Sequence, residues 1–297
     1  MSGVEHVIAI DLGGTKLAAA VVDSGGRVLA RNKRASARGG VGESAKQIAE
    51  AAGVALRDSG VEEIRGVGVI VPGIYRAETG MAWAPNLWGH EEVPLRDELE
   101  RRLEWPVVIE SDRAGYVTGE RWLGAARGLD DVVFLAVGTG IGAGIVSGGK
   151  LIGGSGGVAG AAGWFALNRE RRDIYAQIGC WEAEAAGPAL ARRSGYASGE
   201  LAIEAARAGN AEALRAIGET ACYMGMGIAN IVSLLNPQMV VLGGGLMQAA
   251  DLFLEPIRRA MLEWAQPVAA RQVRIEKTEL GEDAGLLGAA RLALDNI

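Results

Sequence analysis

The sequence predicts two α/β lobes, each built on a sheet that opens with a glycine-tipped β-hairpin. Three observations predict it. A strand–glycine turn–strand unit occurs twice, at Gly13-Gly14-Thr15 and at Gly138-Thr139-Gly140. Each copy leads into buried strands alternating with amphipathic helices. The chain has 297 residues, enough for two domains of ordinary size.

The elements follow in order. "HVIAIDLGGTKLAAAVVD" is strand, turn and strand, with apolar residues continuous enough for a buried sheet. "GRVLARNKRAS" is a third, half-exposed strand. "GESAKQIAEAAGVALRDSG" has apolar residues at helical spacing and stops at Gly60. "IRGVGVIVPG" is a buried strand closed by Pro72-Gly73, "PLRDELERRLEW" an amphipathic helix, and "PVVIESD" a strand running into Asp112. "RAGYVTGERWLGAAR" continues as a helix. The second lobe repeats the opening with "DVVFLAVGTGIGAGIVSGGKLIGG". Helices follow from about Trp181 to Asn236, then the strand "MVVLGGGL", a helix near 250–265, the strand "VRIEKTEL" and a final helix, "AGLLGAARLALD". Two such lobes imply a cleft between them.

Composition narrows the class of function. Hydrophobic residues make up 49% and charged ones 22%, the mixture of a globular protein with a sizeable core. The net charge of −6 is spread along the chain, which argues against a nucleic-acid surface with its clustered basic face. No apolar run approaches the ~20 residues that span a bilayer, and there is no basic-then-apolar leader. Cys180 and Cys222 form no Cys-x-x-Cys, and neither His6 nor His90 has metal-ligand spacing to them. A reducing, cytoplasmic setting without a disulfide framework or structural zinc is therefore expected. The 45 glycines come in short clusters without a repeat, so they suit turns that bring backbone close to a ligand.

The chemistry concentrates at those clusters. In "DLGGTK", glycines at a hairpin tip permit positive φ and uncover backbone N–H groups, an anion cradle to which Thr15 adds a hydroxyl and Lys16 a cation. Asp11 would repel phosphate unless a hydrated Mg²⁺ stood between them; the alternative is a plain turn in which Asp11 bonds its own backbone. "GTGIGAG" is a second cradle, a hairpin without a following helix and so no Rossmann fingerprint. Gly243, Gly244 and Gly245 form a third cluster, suited to a flat adenine or ribose. Asp112 at the end of a strand is placed like a general base or, equally, like the N-cap of the next helix. Asn86 in "WAPNLWG" pairs an amide with aromatic faces, as a sugar site does or an exposed turn. Glu182 begins a helix, where an acid is often a dipole partner.

Together these segments resemble the ROK family of sugar kinases, within the actin/hexokinase/Hsp70-like superfamily of ribonuclease H-like fold. The match runs nearly end to end: "AIDLGGTKLAAAVVD", "GVGVIVPG", "APNLWG", "ESDRAG", "AVGTGIGAGIVSGGKLIGG", "GCWEAEAAGPAL", "NPQMVVLGGGL" and "AGLLGAA" keep the family's order and approximate spacing. The resemblance implies an N-terminal lobe over 1–115, a C-terminal lobe over 116–283, and a last helix, 284–297, packing back on the first lobe. It also implies ATP with Mg²⁺, the metal carried by the nucleotide and reached through water from Asp11. Asp11, Gly13, Gly14, Thr15 and Lys16 would form the first phosphate loop, Gly138, Thr139 and Gly140 the second, and Gly243 to Gly245 the adenosine border. Asp112 would be the base for the attacking sugar hydroxyl, at position 6 or its equivalent. A homodimer is the family expectation.

The sugar side departs from the pattern. Glucose-specific relatives carry Gly-Glu-x-Gly-His where this chain has "GVAGAAGWF", so Ala161 and Trp164 stand at the glutamate and histidine positions. The family's zinc segment is reduced to "AQIGCWE", leaving Cys180, and the asparagine before the catalytic aspartate is Ser111. Asn86 and Glu182 remain. Each hydrogen bond lost to a buried hydroxyl costs about 1–3 kcal/mol, so a substrate other than plain glucose is expected: an amino sugar, a deoxy sugar or a cyclitol. Trp164 either stacks on a sugar face or fills the space of the missing zinc subdomain. Two other roles compete. One is a repressor, whose N-terminal helix-turn-helix domain is not expected before a loop at residue 11. The other is a binding protein that has lost turnover.

Overall fold

Apolar runs ending in glycine build two five-stranded sheets with one strand plan. The computed structural model describes residues 4–297. Its first sheet holds β1 (His6–Leu12), β2 (Lys16–Asp23), β3 (Val28–Ala35) and β4 (Val67–Val71). A separate hairpin of β5 (Ile74–Arg76) and β6 (Met81–Trp83) follows, and β7 (Val107–Ser111) completes the sheet in the order β3-β2-β1-β4-β7. The second sheet, of β8 (Val132–Val137), β9 (Ile141–Ser147), β10 (Lys150–Leu151), β11 (Met239–Gly243) and β12 (Arg274–Lys277), has the order β10-β9-β8-β11-β12. β1 and β8 are each antiparallel to the next strand in sequence and parallel to the strand on the other side. What reads in the sequence as a repeated hairpin is a repeated sheet.

This plan sets the site. β1, β4 and β7 run parallel, with Asp11 opposite Ile70 and Val71 opposite Ser111. Their C-terminal ends therefore share one edge, the place where open α/β sheets bind ligands. β4 and β11 are buried at every residue, because helices cover both faces of a parallel strand.

The chain forms two compact units. The first comprises residues up to Arg127, Gly153–Val158 and Glu282–Ile297; the second comprises Gly128–Ile152 and Ala159–Gly281. In the first unit the helix Val41–Ser59 buries Ala45, Ile48, Ala51, Ala52 and Ala55 at helical spacing, and ends at Gly60 with φ 68°. The helix Asp112–Leu123 spans the expected division after residue 115 and stays whole in this unit, because it lies backbone to backbone along the C-terminal helix Ala284–Asn296. A Cβ on Gly288 would come 1.8 Å from the Gly115 carbonyl oxygen, and one on Gly119 would come 2.3 Å from that of Ala284. Residues 153–158 join the same unit, where Arg76 Nη1 donates to the Gly156 carbonyl at 3.0 Å.

In the second unit the long helix Ala211–Leu235 and the helix Ala250–Trp264 pack together over a core that includes fully buried Trp181. The sequence reading lacks the β5–β6 hairpin, the helix Pro267–Gln272 and the 3₁₀ turns Ser155–Gly157 and Ala162–Trp164. All are too short to show a period. No helix of the described residues is long and apolar enough to cross a membrane.

Candidate active site

Leu12 pairs with Leu17 across the first hairpin, which leaves Gly13, Gly14 and Thr15 as its tip. The Gly13 N–H donates to the Lys16 carbonyl at 2.8 Å, and Ser36, just past β3, fastens the loop twice. Its N–H donates to Thr15 O at 3.0 Å and its hydroxyl to Gly13 O at 2.6 Å. The expected left-handed φ is absent from both glycines. Space accounts for Gly13, where a Cβ would sit 3.1 Å from Lys16 O; at Gly14 a Cβ would have nothing within 4 Å. Among the described residues the N–H groups of Gly14 and Thr15 have no acceptor, and the Thr15 and Lys16 side chains are exposed. A rigid tip with two free donors and a cation is an anion cradle.

Two acids stand beside it. Asp11, at the end of β1, makes no hydrogen bond with a described residue, which removes the plain-turn alternative. Burial and the nearby Asp112 carboxylate raise its pKa to about 7, against the pull of Lys33. Asp112 opens the helix after β7, but Ser111 is the cap: Ser111 Oγ accepts the Ala114 N–H at 3.3 Å. Asp112 is thereby released from capping, and among the described residues its Oδ1 accepts only the Arg113 N–H, at 2.8 Å. Burial lifts its pKa to about 6, although Arg113 opposes. A half-buried carboxylate titrating there is ionised at neutral pH and basic enough to take a proton. Arg113 Nη2 is turned to the Gly73 carbonyl, 3.0 Å away. One turn on, the Tyr116 hydroxyl is pushed well above its ordinary pKa by burial and by both acids.

The second tip is held by an acid. Glu182, in the helix Cys180–Ala185, accepts the Ile141 N–H on Oε2 at 2.8 Å. A Cβ on Gly140 would lie 2.7 Å from that same oxygen. Gly138 donates to Gly140 O at 3.0 Å and accepts the Gly187 N–H at 2.8 Å. Again neither tip glycine has a left-handed φ, and among the described residues the Thr139 and Gly140 N–H groups have no acceptor. β11 lies beside β8, so the third glycine cluster adjoins this loop: a Cβ on Gly138 would be 3.7 Å from Gly245 N. Gly243 is buried against Phe134, Gly244 turns at φ 89°, and Gly245 faces open space.

Ala161 caps the 3₁₀ turn Ala162–Trp164, and that turn packs on Glu182 through Gly163, whose Cβ would be 3.1 Å from Oε2. Trp164 is 57% exposed. The space-filling alternative therefore fails for Trp164; its neighbour Phe165 does the packing, stacked on Trp181 at 5.5 Å. The following segment is tied down by a buried acid. Glu184 accepts the Tyr175 hydroxyl at 2.5 Å, Arg172 at 2.8 Å and Arg193 at 3.1 Å. Asn168 Nδ2 donates to the Tyr175 hydroxyl oxygen at 2.5 Å. The Cys180 sulfur accepts the Leu167 N–H at 3.4 Å. Among the described residues no group of three or more His, Cys, Asp or Glu side chains is placed to hold a metal ion.

Within the first unit the structure thus gathers Asp11, Gly13 to Lys16, Ser111 and Asp112. Within the second it gathers Gly138 to Gly140, Gly243 to Gly245, Ala161, Trp164 and Glu182. Asn86 is exposed on the short helix Pro85–Trp88 and makes no hydrogen bond with a described residue. Sequence reasoning missed Ser36, Tyr116 and Gly187. Tyr116 could have been found from its place one turn after Asp112 on the same helix; Ser36 and Gly187 carried no signal.

Comparison with known proteins places this geometry. Residues 7–296 match the model of the ROK family. A glucokinase of Thermotoga maritima is 31% identical over 98% of this chain and 98% of its own length. An N-acetylmannosamine kinase of Escherichia fergusonii is 33% identical over 96% of this chain and 97% of its own. A xylose repressor of Caldicellulosiruptor bescii is 32% identical over 79% of this chain and 63% of its own. The crystal structure of a ROK hexokinase from Thermus thermophilus, 35% identical, matches with a TM-score of 0.84 over 97% of this chain and 98% of that one. That of a ROK family glucokinase from Streptomyces griseus in complex with glucose and AMPPNP, 32% identical, matches with a TM-score of 0.78 over 98% and 100%. The fold is the two-domain, actin- and hexokinase-like α/β fold expected from the sequence.

Proposed function

Because the chain belongs to the ROK family, we propose that it transfers the γ-phosphoryl group of ATP to a hydroxyl, at position 6 or its equivalent, of a hexose-like sugar other than plain glucose. The observation that carries the reading is Asp112: a carboxylate freed from capping by Ser111, with a pKa raised to about 6, beside Asp11 at the sheet edge that ends in the first glycine tip. Asp112 accepts the proton of the attacking hydroxyl as its oxygen bonds to the γ-phosphorus and the bond to the ADP oxygen breaks. Phosphoryl transfer asks the protein for little beyond position and charge neutralisation. Gly14 and Thr15 N–H, with Lys16, meet phosphate oxygens; Thr139 and Gly140 N–H do so from the second loop, and Gly243 to Gly245 border the adenosine. Mg²⁺ carried with the nucleotide would supply further charge neutralisation, and Asp11, a hard oxygen donor with no hydrogen bond to a described residue, would be the group to hold it through water.

Exposed Trp164 and the methyl of Ala161 give the sugar side an apolar face where glucose-specific relatives have an acid and a histidine. That supports an amino sugar, a deoxy sugar or a cyclitol as acceptor. A sugar-responsive role without turnover, suggested by the similarity to a xylose repressor, is less well supported, since it gives Asp112 nothing to do. The test is a screen of hexoses, amino sugars and cyclitols for ATP-dependent phosphorylation. Turnover on a non-glucose acceptor is expected, and no sugar-dependent ADP release from any of them rejects the reading. In the double variant Ala161→Glu/Trp164→His the ratio of specificity constants should shift toward glucose at least tenfold, the scale of one or two recovered hydrogen bonds. An unchanged ratio removes both residues from the sugar pocket.

A further inference from the structure

The C-terminal "AGLLGAA" contains a glycine that helix packing does not explain. Gly288 and Gly119 are required because their Cβ atoms would strike backbone of the neighbouring helix. Gly285 is different. A Cβ there would meet side chains: Asp11 Oδ2 at 2.5 Å, Tyr116 Cε1 at 2.9 Å and Ile70 Cδ1 at 2.9 Å. The missing methyl is thus room that the Asp11 carboxylate, the edge of the Tyr116 ring and Ile70 all border. The helix carrying Tyr116 also carries Asp112, one turn earlier. Two salt bridges pin the start of the C-terminal segment to β3, Arg31 to Asp283 at 2.7 Å and Lys33 to Glu282 at 3.5 Å.

We propose that Gly285 and the Tyr116 ring fix where the Asp11 carboxylate stands relative to Asp112, so that both are positioning residues of the phosphoryl-transfer site. This inference rests on the kinase reading above. No described residue hydrogen-bonds Asp11, and a side chain with free rotamers keeps its place only if its neighbours leave one position open. Gly285 on the C-terminal helix and the Tyr116 ring border the carboxylate on that side.

Kinetics of four variants, with a crystal structure of one, test it. Gly285→Ala and Tyr116→Ala should each lower kcat about tenfold or more, with KM for sugar and ATP within about twofold, since displacement of a reacting group by an ångström can cost that much. Tyr116→Phe keeps the ring and should stay within about threefold of the unaltered chain. In the double variant Gly285→Ala/Tyr116→Ala the added methyl enters the space vacated by the ring, so its kcat should exceed that of either single variant. A loss equal to the product of the two single losses is the additive outcome of independent destabilisation and overturns the proposal. So does wild-type kcat in Tyr116→Ala, which decides the matter if Gly285→Ala does not fold, or a full loss in Tyr116→Phe. In a crystal structure of Gly285→Ala, Asp11 should be displaced from Tyr116, and an unmoved carboxylate overturns the proposal. If the unaltered chain phosphorylates no sugar, the kinase reading fails by itself, and that crystal structure still decides the placement of Asp11.

Discussion

The two glycine hairpins are alike in strand plan and in their unbonded N–H groups, but they are fastened by opposite means. A serine holds the first: Ser36, just past the edge strand, neutral and bonded through hydroxyl and N–H. The second is held by an acid, Glu182, whose carboxylate carries the Ile141 N–H and touches the place where Gly140 lacks a side chain. On the proposed function, Asp11 and Asp112 of the first unit are left for chemistry. Among the described residues Asp11 has no hydrogen-bond partner and Asp112 has one, and burial leaves both with raised pKa values. On that reading Asp11 and Asp112 serve the reaction, whereas Glu182, its pKa also raised by burial, shapes a loop.

If that division is right, Asp112→Asn should produce the greatest loss. A positioned general base contributes about 10²–10⁴-fold, and kcat should fall within that range while ATP affinity, read by calorimetry, stays unchanged. A rate near that of the unaltered chain would erase the distinction between the units. The pH dependence has a defined sign. With a folded-state pKa of about 6, Asp112 loses competence as pH drops below 6, so kcat/KM should fall about tenfold per unit there. Stability runs the other way. The folded chain holds the Asp112 proton more tightly than the unfolded chain does at its ordinary 3.8, so the contribution is fully present below that pH and is lost as pH rises through about 6. Asp112→Asn should therefore raise Tm at pH 8 while leaving it nearly unchanged at pH 4.

Glu182→Ala tests the other half. Removing the acceptor leaves the Ile141 N–H without its partner, and losing a hydrogen bond to a charged group costs about 1.5–3 kcal/mol. KM for ATP should rise roughly ten- to a hundredfold, with a smaller change in kcat than in Asp112→Asn. Glu182→Gln retains an acceptor oxygen and should recover most of the affinity. Should Glu182→Ala leave KM for ATP untouched and raise only that for sugar, Glu182 belongs to the acceptor and not to the loop.

The difference between the fastenings also shows what the sequence could convey. Apolar runs and glycine breaks are enough for most strands of both sheets, a strand end singles out Asp112, and an acid beside an anion cradle singles out Asp11, because those features are local. Fastening is not local. Ser36 reaches the first tip only through the register that sets Lys16 opposite Ala35, and Glu182 reaches Ile141 from a helix far along the chain. Trp164 and Phe165 are adjacent aromatics of which one is exposed and the other stacked on Trp181; a 3₁₀ turn three residues long has no period from which to tell them apart. Gly285 read as one more small residue in a helix, since the carboxylate it accommodates comes from the opposite end of the chain.

Ser36→Ala should have the smallest effect and is for that reason the sharpest comparison with Glu182→Ala. It removes the hydroxyl bond to Gly13 O, 2.6 Å long, but keeps the backbone bond to Thr15 O at 3.0 Å. A neutral hydrogen bond contributes about 0.5–1.5 kcal/mol, and Gly13 is a half-buried residue, so water can replace the lost donor in part. KM for ATP should rise about two- to tenfold with kcat nearly unchanged. The Gly13 N–H bond to Lys16 O is independent of Ser36, and it keeps the tip closed while the variant alters only its tilt. An effect as large as that of Glu182→Ala would mean that both tips depend equally on a single side chain. The contrast between a neutral fastening and a charged one would then be one of composition and not of strength.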